Sequence, residues 1–143
     1  MKRVLITGGT GFIGSQVTAE LLRRGYEVHA LVFPPFLPEQ PHLVRHEMNL
    51  MDPKAVDDFL SENPFDTLIH LAWWTGAKCH SSDVNLDWMR ASVALLQSFA
   101  AHGGKTFLGA GTVSEYDFSK GFLRENDTPL TNPSIHGLSL IHI

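Results

Sequence analysis

The sequence predicts an α/β domain built on a doubly wound parallel sheet of about five strands. Three observations carry that expectation. Short apolar, β-favouring stretches alternate with helical patterns along the 143 residues. The first stretch runs directly into a glycine-rich turn that opens a helix, and no internal repeat or low-complexity tract interrupts the rhythm. A chain of this length buries one sizeable core and is too short for two, so a single domain is expected.

The elements follow in order. Arg3 to Thr7 (RVLIT) is an unbroken apolar run suited to a fully buried strand. Residues 12–24 place Ile13, Val17, Leu21 and Leu22 at helical spacing, and Gly25 stands where that helix should end. Tyr26 to Phe33 is a second strand. PPFLPEQP, from Pro34 to Pro41, carries four prolines in eight residues, which removes too many backbone donors for a helix or central strand. Leu43 to Met48 is a short strand, Asp52 to Leu60 a helix with Asp52-Pro53 as cap and first turn, and Phe65 to Ala72 a buried strand. After a lapse at 73–83, residues 85–102 form a long amphipathic helix with Trp88, Ser92, Leu95, Leu96 and Phe99 on one face, ended by Gly103-Gly104. Lys105 to Gly111 is a fifth strand, and 112–137 has the polar, proline-containing character of a long loop.

Composition narrows the function. With 43% hydrophobic residues, 18% charged residues and a net charge of -4, this is an ordinary globular composition. Eleven basic residues scattered among 15 acidic ones make a poor phosphate-backbone binder, so no nucleic acid is expected as partner. The single Cys79 cannot form an internal disulfide and has no strongly activating neighbour; no secretory signal or bilayer-spanning run is evident, and a cytoplasmic location fits. Eight histidines do not amount to a metal site. His42 and His46 are four apart, but zinc pairing at that spacing needs a helix and this stretch reads as a strand, whereas His70 lies in a buried strand and reads as structural.

The strongest chemical signal is TGGTGFIG, Thr7 to Gly14, placed between the first strand and the first helix. Gly8 permits the tight turn, Gly11 lets backbone approach a pyrophosphate, and Gly14 allows close helix-to-strand packing; the helix N-terminus then offers free N–H groups to the phosphates, with Thr10, Phe12 and Ile13 lining the turn. This is a dinucleotide-binding loop in the context that the motif requires.

The spacing Gly-x-x-Gly-x-x-Gly after Thr, with the helix and strand VTAELLRRGYEVHALV behind it, resembles the extended short-chain dehydrogenase/reductase superfamily, the NAD-dependent epimerase/dehydratase family. The resemblance runs over about residues 2–137 and implies a Rossmann-type sheet holding NAD or NADP. In that family the end of the second strand selects the cofactor, acidic for NAD and Arg for NADP. Here Phe33 stands at that place and leaves the choice open. Asn49-Leu50 resembles the family's Asp-Leu pair beside adenine, and IHLAW (Ile69 to Trp73) resembles its HLAA, so Leu71 and Ala72 are expected to let the cofactor ribose lie against backbone. Trp73 and Trp74 are either an aromatic wall of the site or packing beneath the long helix.

AGTVSEYD, Ala110 to Asp117, resembles the family's Ser-Ser-x-x-x-Tyr-Gly turn and places Thr112 on the catalytic Ser/Thr. Its alternative is a strand-ending Thr with no task. Val113 and Ser114 stand where dehydratases carry Asp-Glu, which disfavours sugar dehydration relative to epimerisation or reduction. The family's Tyr-x-x-x-Lys falls on His136 and Leu140; histidine transfers protons near neutral pH, but leucine can neither hold a ribose nor tune a pKa. The last six residues, LSLIHI, are also the translation of CTGTCTCTTATACACATC, a transposon-end adapter, so the domain is expected to cover 1–137 with a non-native tail at 138–143. The resemblance further implies that the chain is incomplete, lacking the substrate domain and leaving an apolar sheet face prone to self-association. The expected parent is an NAD(P)-dependent oxidoreductase or epimerase with a nucleotide-linked sugar as substrate, a homodimer being one arrangement left open. The competing expectations are a non-catalytic dinucleotide-binding sensor and an inert fragment.

Overall fold

The computed structural model describes residues 2–34, 38–131 and 134–141, so part of the proline-rich loop and the last two residues lie outside the described residues. Strands β1 (Arg3–Thr7), β2 (Glu27–Val32), β3 (Leu43–Glu47), β4 (Thr67–His70) and β5 (Thr106–Gly109) form one sheet in the order β3-β2-β1-β4-β5, with every neighbouring pair parallel. Helix α1 (Phe12–Arg23) joins β1 to β2, α2 (Pro53–Glu62) joins β3 to β4, and α3 (Val84–Ala101) joins β4 to β5. The chain thus winds outward from β1 to β3, crosses back, and continues on the other side with β4 and β5. That reversal lies between β1 and β4, and it opens a crevice at the C-terminal ends of these strands.

The two faces of the sheet explain why the strands read as unbroken apolar runs. Leu5, Leu31 and Leu68 face α2 and α3, where they pack with Val56, Leu60, Phe65, Leu95 and Phe99. Ile6, Val28, Ala30 and Val32 face the other way, against Val17, Leu21 and Leu22 of α1. Each central strand is therefore covered on both sides, and period-two polarity has no reason to appear. Ile13, the first apolar residue of the α1 pattern, departs from this: it is exposed, because the first turn projects past the sheet to the crevice mouth.

Helix boundaries follow local chemistry. Gly25 ends α1 with φ of 79°, a left-handed conformation that a side chain would strain. Asp52 caps α2, its Oδ1 accepting the Ala55 N–H at 3.1 Å, with Pro53 in the first turn. Asp52→Ala is expected to cost about 1 kcal/mol of stability in urea unfolding; a change below a few tenths would mean that solvent replaces the cap.

The segment read as a long loop contains more structure than its composition suggests. Short 3-10 turns occupy Val113–Glu115 and Phe118–Lys120, each started by a side-chain cap from Thr112 or Asp117. A seven-residue helix, α4 (Ile135–Ile141), follows and packs on α3 and the first of these turns. Capping by single polar residues is a local device that hydrophobic periodicity does not reveal. At the sheet edge, β5 leaves Leu108 56% exposed.

Candidate functional site

The turn after β1 is shaped by backbone contacts that exclude side chains. Gly8 has φ of 69°, and a Cβ there would lie 2.6 Å from the backbone of Leu71 and Ala72 at the end of β4. A Cβ on Gly14 would lie 2.0 Å from the Gly8 carbonyl oxygen, so the first turn of α1 rests directly on the loop. Gly11 differs: the nearest atom to its Cβ is the Gly8 oxygen, at 3.2 Å, and its outer side is open. The three glycines therefore divide into two required by the protein's own packing and one whose missing side chain keeps space clear.

Gly11 is also the N-cap of α1, which has no side-chain cap and no acidic residue in its first turn. The initial N–H groups of a helix have no partner within it, so this end presents donors and a partial positive charge at the crevice. Beside it opens a cavity of about 680 Å3. One wall is the loop itself, with Gly8, Thr10, Gly11, Phe12, Ile13 and Gly14; Phe12 is 95% exposed at its mouth. Phe33 and Pro34 after β2 and Asn49 and Leu50 after β3 line one end, and Leu71, Ala72 and Trp73 after β4 line the other. All the residues singled out from the motif and the resemblance for cofactor contact thus border one space. Its described lining contains no charged side chain.

Several details were not legible in the sequence. Asn49 Oδ1 accepts the Met51 N–H at 3.0 Å, which turns the chain from β3 into α2 and leaves its second lone pair free. Trp73 is at once cavity wall and packing, its ring 6.2 Å from that of Trp88 and its Nε1–H bound to Asn85 Oδ1 at 2.9 Å. Trp74 instead lies against Gly76. Met48, Thr75 and Trp88 also line the cavity and belong to no short motif, and Ala110 enters it from the start of the AGTVSEYD turn.

His70, at the end of β4, sits behind the loop in a chain of hydrogen bonds. Thr7 Oγ1 accepts the Ala72 N–H at 3.2 Å and meets His70 Nδ1 at 2.6 Å, while His70 Nε2 meets Ser92 Oγ of α3 at 2.8 Å. Burial holds the imidazole well below its ordinary range, to about 4, so it is neutral at physiological pH. His46 pairs with His29 (2.9 Å) on the adjoining strand, and His29 in turn meets Glu27 at 2.7 Å. Among the described residues no three of His, Cys, Asp or Glu are grouped to hold a metal.

Thr112 and His136 lie 24 residues apart in the chain. Together with Ala72, Trp73 and Ala110 they line a smaller cavity of about 190 Å3 adjoining the first. Thr112 Oγ1 accepts the Ser114 N–H at 3.3 Å, and its own N–H donates to Glu115 Oε1 at 2.6 Å, a capping box that leaves the hydroxyl proton uncommitted. His136 Nδ1 is 3.2 Å from Asn85 Oδ1, and its ring meets those of His80 and Trp73 edge-on. Burial and the neighbouring His80 lower its pKa, opposed by Glu115. Leu140 also borders this cavity.

A parallel sheet with a glycine turn at its switch point and flanking helices on both faces is a Rossmann-type nucleotide-binding domain. The model of the NAD dependent epimerase/dehydratase family matches residues 4–139, and the chain belongs to that family. It is similar to UDP-arabinose 4-epimerase 1 of Arabidopsis thaliana, with 30% identity over 81% of this chain and 31% of the relative. It is also similar to dTDP-6-deoxy-L-talose 4-dehydrogenase (NAD(+)) of Aggregatibacter actinomycetemcomitans, with 31% identity over 95% of this chain and 50% of the relative. The fold is shared with the UDP-Glc/GlcNAc 4-epimerase of Campylobacter jejuni, at a TM-score of 0.86 and 19% identity, covering 99% of this chain and 46% of that one. The chain spans one third to one half of the length of these proteins. No helix among the described residues is long and apolar enough to cross a membrane.

Proposed function

We propose that the chain is the cofactor-holding part of an NAD(P)-dependent epimerase or oxidoreductase that acts on a nucleotide-linked sugar. The observation that carries this is the Gly8–Gly14 cradle, where two glycines are demanded by internal packing and the third keeps the helix N-terminus open to an anion. Family membership supports the cofactor class. The two relatives support the substrate class, one acting on a UDP-linked and one on a dTDP-linked sugar, both at carbon 4.

The dinucleotide fits the residues present. Its pyrophosphate belongs at the α1 N-terminus beside Gly11, its adenine between Phe33 and Asn49-Leu50, and its ribose against Leu71 and Ala72. Neither an acidic nor a basic side chain stands at Phe33, so both NAD and NADP remain compatible with this end of the cavity. When bound, the nicotinamide supplies the hydride acceptor. The chain's own residues handle the proton: as the sugar C–O bond becomes C=O, the hydroxyl proton passes to His136, and Thr112 holds the same oxygen through its free O–H. His136 is suited to accept that proton because its lowered pKa keeps it neutral near pH 7.

Titration with NADH and NADPH, followed by cofactor fluorescence, tests the reading. Gly11→Ala should weaken binding by at least about tenfold, roughly 1.4 kcal/mol, while changing stability by under about 1 kcal/mol, since no backbone lies within 3.0 Å of the added carbon. Equal binding by wild type and variant would overturn the assignment. Leu140 on the cavity wall, at the place of the family's lysine, favours a second reading as a non-catalytic dinucleotide sensor. Cofactor binding without hydride exchange in the full-length protein would select it.

A further inference from the structure

Asn85 belongs to no motif and stands in the first turn of α3, yet it is fully buried, with both amide hydrogens donated and its amide oxygen accepting. Its Nδ2 donates to two carbonyl oxygens, Cys79 at 2.6 Å and Ser82 at 2.8 Å. Its Oδ1 receives the Trp73 Nε1–H at 2.9 Å. These contacts leave one orientation for the amide. Exchanging its oxygen and nitrogen would set an acceptor against two acceptors and a donor against an indole N–H, which is donor-only.

The consequence reaches His136. Its Nδ1 lies 3.2 Å from the same Oδ1, an atom that can only accept. An imidazole nitrogen facing an obligate acceptor carries the hydrogen, and in a neutral ring the other nitrogen then holds the lone pair. We propose that Asn85 is a positioning residue that holds His136 in the Nδ1–H tautomer, leaving Nε2 as the proton-accepting nitrogen in the cavity shared with Thr112. The same amide ties the ring to Trp73, so a wall of the nucleotide cavity and the proton-handling ring are fixed by one buried side chain. Because the indole N–H already satisfies one lone pair of Oδ1, the alternative tautomer would set the Nδ1 lone pair against an oxygen lone pair at 3.2 Å with no hydrogen between them, and that repulsion favours the Nδ1–H form.

The inference rests on the proposed proton-transfer role only for its significance; the tautomer itself is measured without cofactor. Long-range ¹H–¹⁵N correlation spectra of histidine-labelled protein, recorded above pH 7 and assigned with His136→Gln, report which ring nitrogen is protonated. The expected pattern for His136 is a protonated Nδ1 and an unprotonated Nε2. In Asn85→Leu, which removes the acceptor, the ring should return toward the Nε2–H form that free imidazole prefers. A dominant Nε2–H form, or averaging of the two, in the wild type would overturn the proposal whether or not Asn85→Leu folds. Failure of NADH to bind while the Nδ1–H pattern holds would strike the functional reading and leave the tautomer assignment standing.

Discussion

Gly14→Ala should unfold the domain or bring it close to unfolding. The added carbon would sit 2.0 Å from the Gly8 carbonyl oxygen and 2.9 Å from Gly9 Cα, both backbone atoms that cannot swing aside. Relief requires α1 to lift from the loop, which separates Val17, Leu21 and Leu22 from Ile6 and Val28 beneath them. A loss of about 3–5 kcal/mol is expected, a large part of the total stability of a domain of this size. Gly8→Ala should behave similarly, since left-handed strain adds to a 2.6 Å clash with the end of β4. Urea unfolding of both variants beside Gly11→Ala provides the contrast: two glycines needed by the fold and one needed only by the ligand. Retained stability in Gly14→Ala would show that the helix does not rest on the loop as described.

The second large effect is on pH dependence. The unfolded chain protonates His70 near its ordinary value of 6.5, whereas the folded chain refuses the proton until about 4. Stability is therefore flat above about pH 7 and falls as pH drops from about 6.5 to about 4, where the unfolded state binds the extra proton. At about 1.4 kcal/mol per pH unit, the loss attributable to this ring reaches about 3 kcal/mol. His46 and His136 have lowered pKa values as well and act in the same direction, so the His70 share is read as the difference from a His70→Gln variant. Parallel pH profiles for wild type and variant would refute the claim that His70 is held neutral by burial among Thr7, Ser92 and Phe107.

These effects bear on the candidate function because both lie directly beneath the crevice. Thr7 joins His70 to the Ala72 N–H, and the end of β4 is also the surface against which Gly8 packs. Protonating His70 would make both ring nitrogens donors, so that the Thr7 and Ser92 hydroxyls facing them would both have to turn their own protons away. The strand end that lines the nucleotide cavity would loosen with it. Loss of cofactor binding on acidification is thus expected to accompany loss of stability.

Much of this architecture could be read directly along the chain. Buried parallel strands appear as runs such as RVLIT and LIHLA because both faces are covered, and α1 and α2 announce their ends through Gly25 and through Asp52-Pro53. The glycine loop was legible for the same reason: conformational demands such as φ of 69° at Gly8 act on single residues and leave a local trace. Every residue placed by motif or resemblance around the cofactor borders one cavity, since strand ends in a parallel sheet converge at the switch point.

The tertiary structure alone decided the polar connections. Asn85 meets His136 across 51 residues, His70 meets Thr7 across 63, and neither pairing has a periodic or compositional signature. The helix at Ile135–Ile141 and the caps set by Thr112 and Asp117 were likewise hidden in a segment whose polarity reads as loop. Hydrophobic patterning specifies which faces turn inward, and glycine positions specify where the backbone bends. Which buried polar groups then find each other depends on how the helices dock, because each must obtain a partner within about 3 Å once water is excluded.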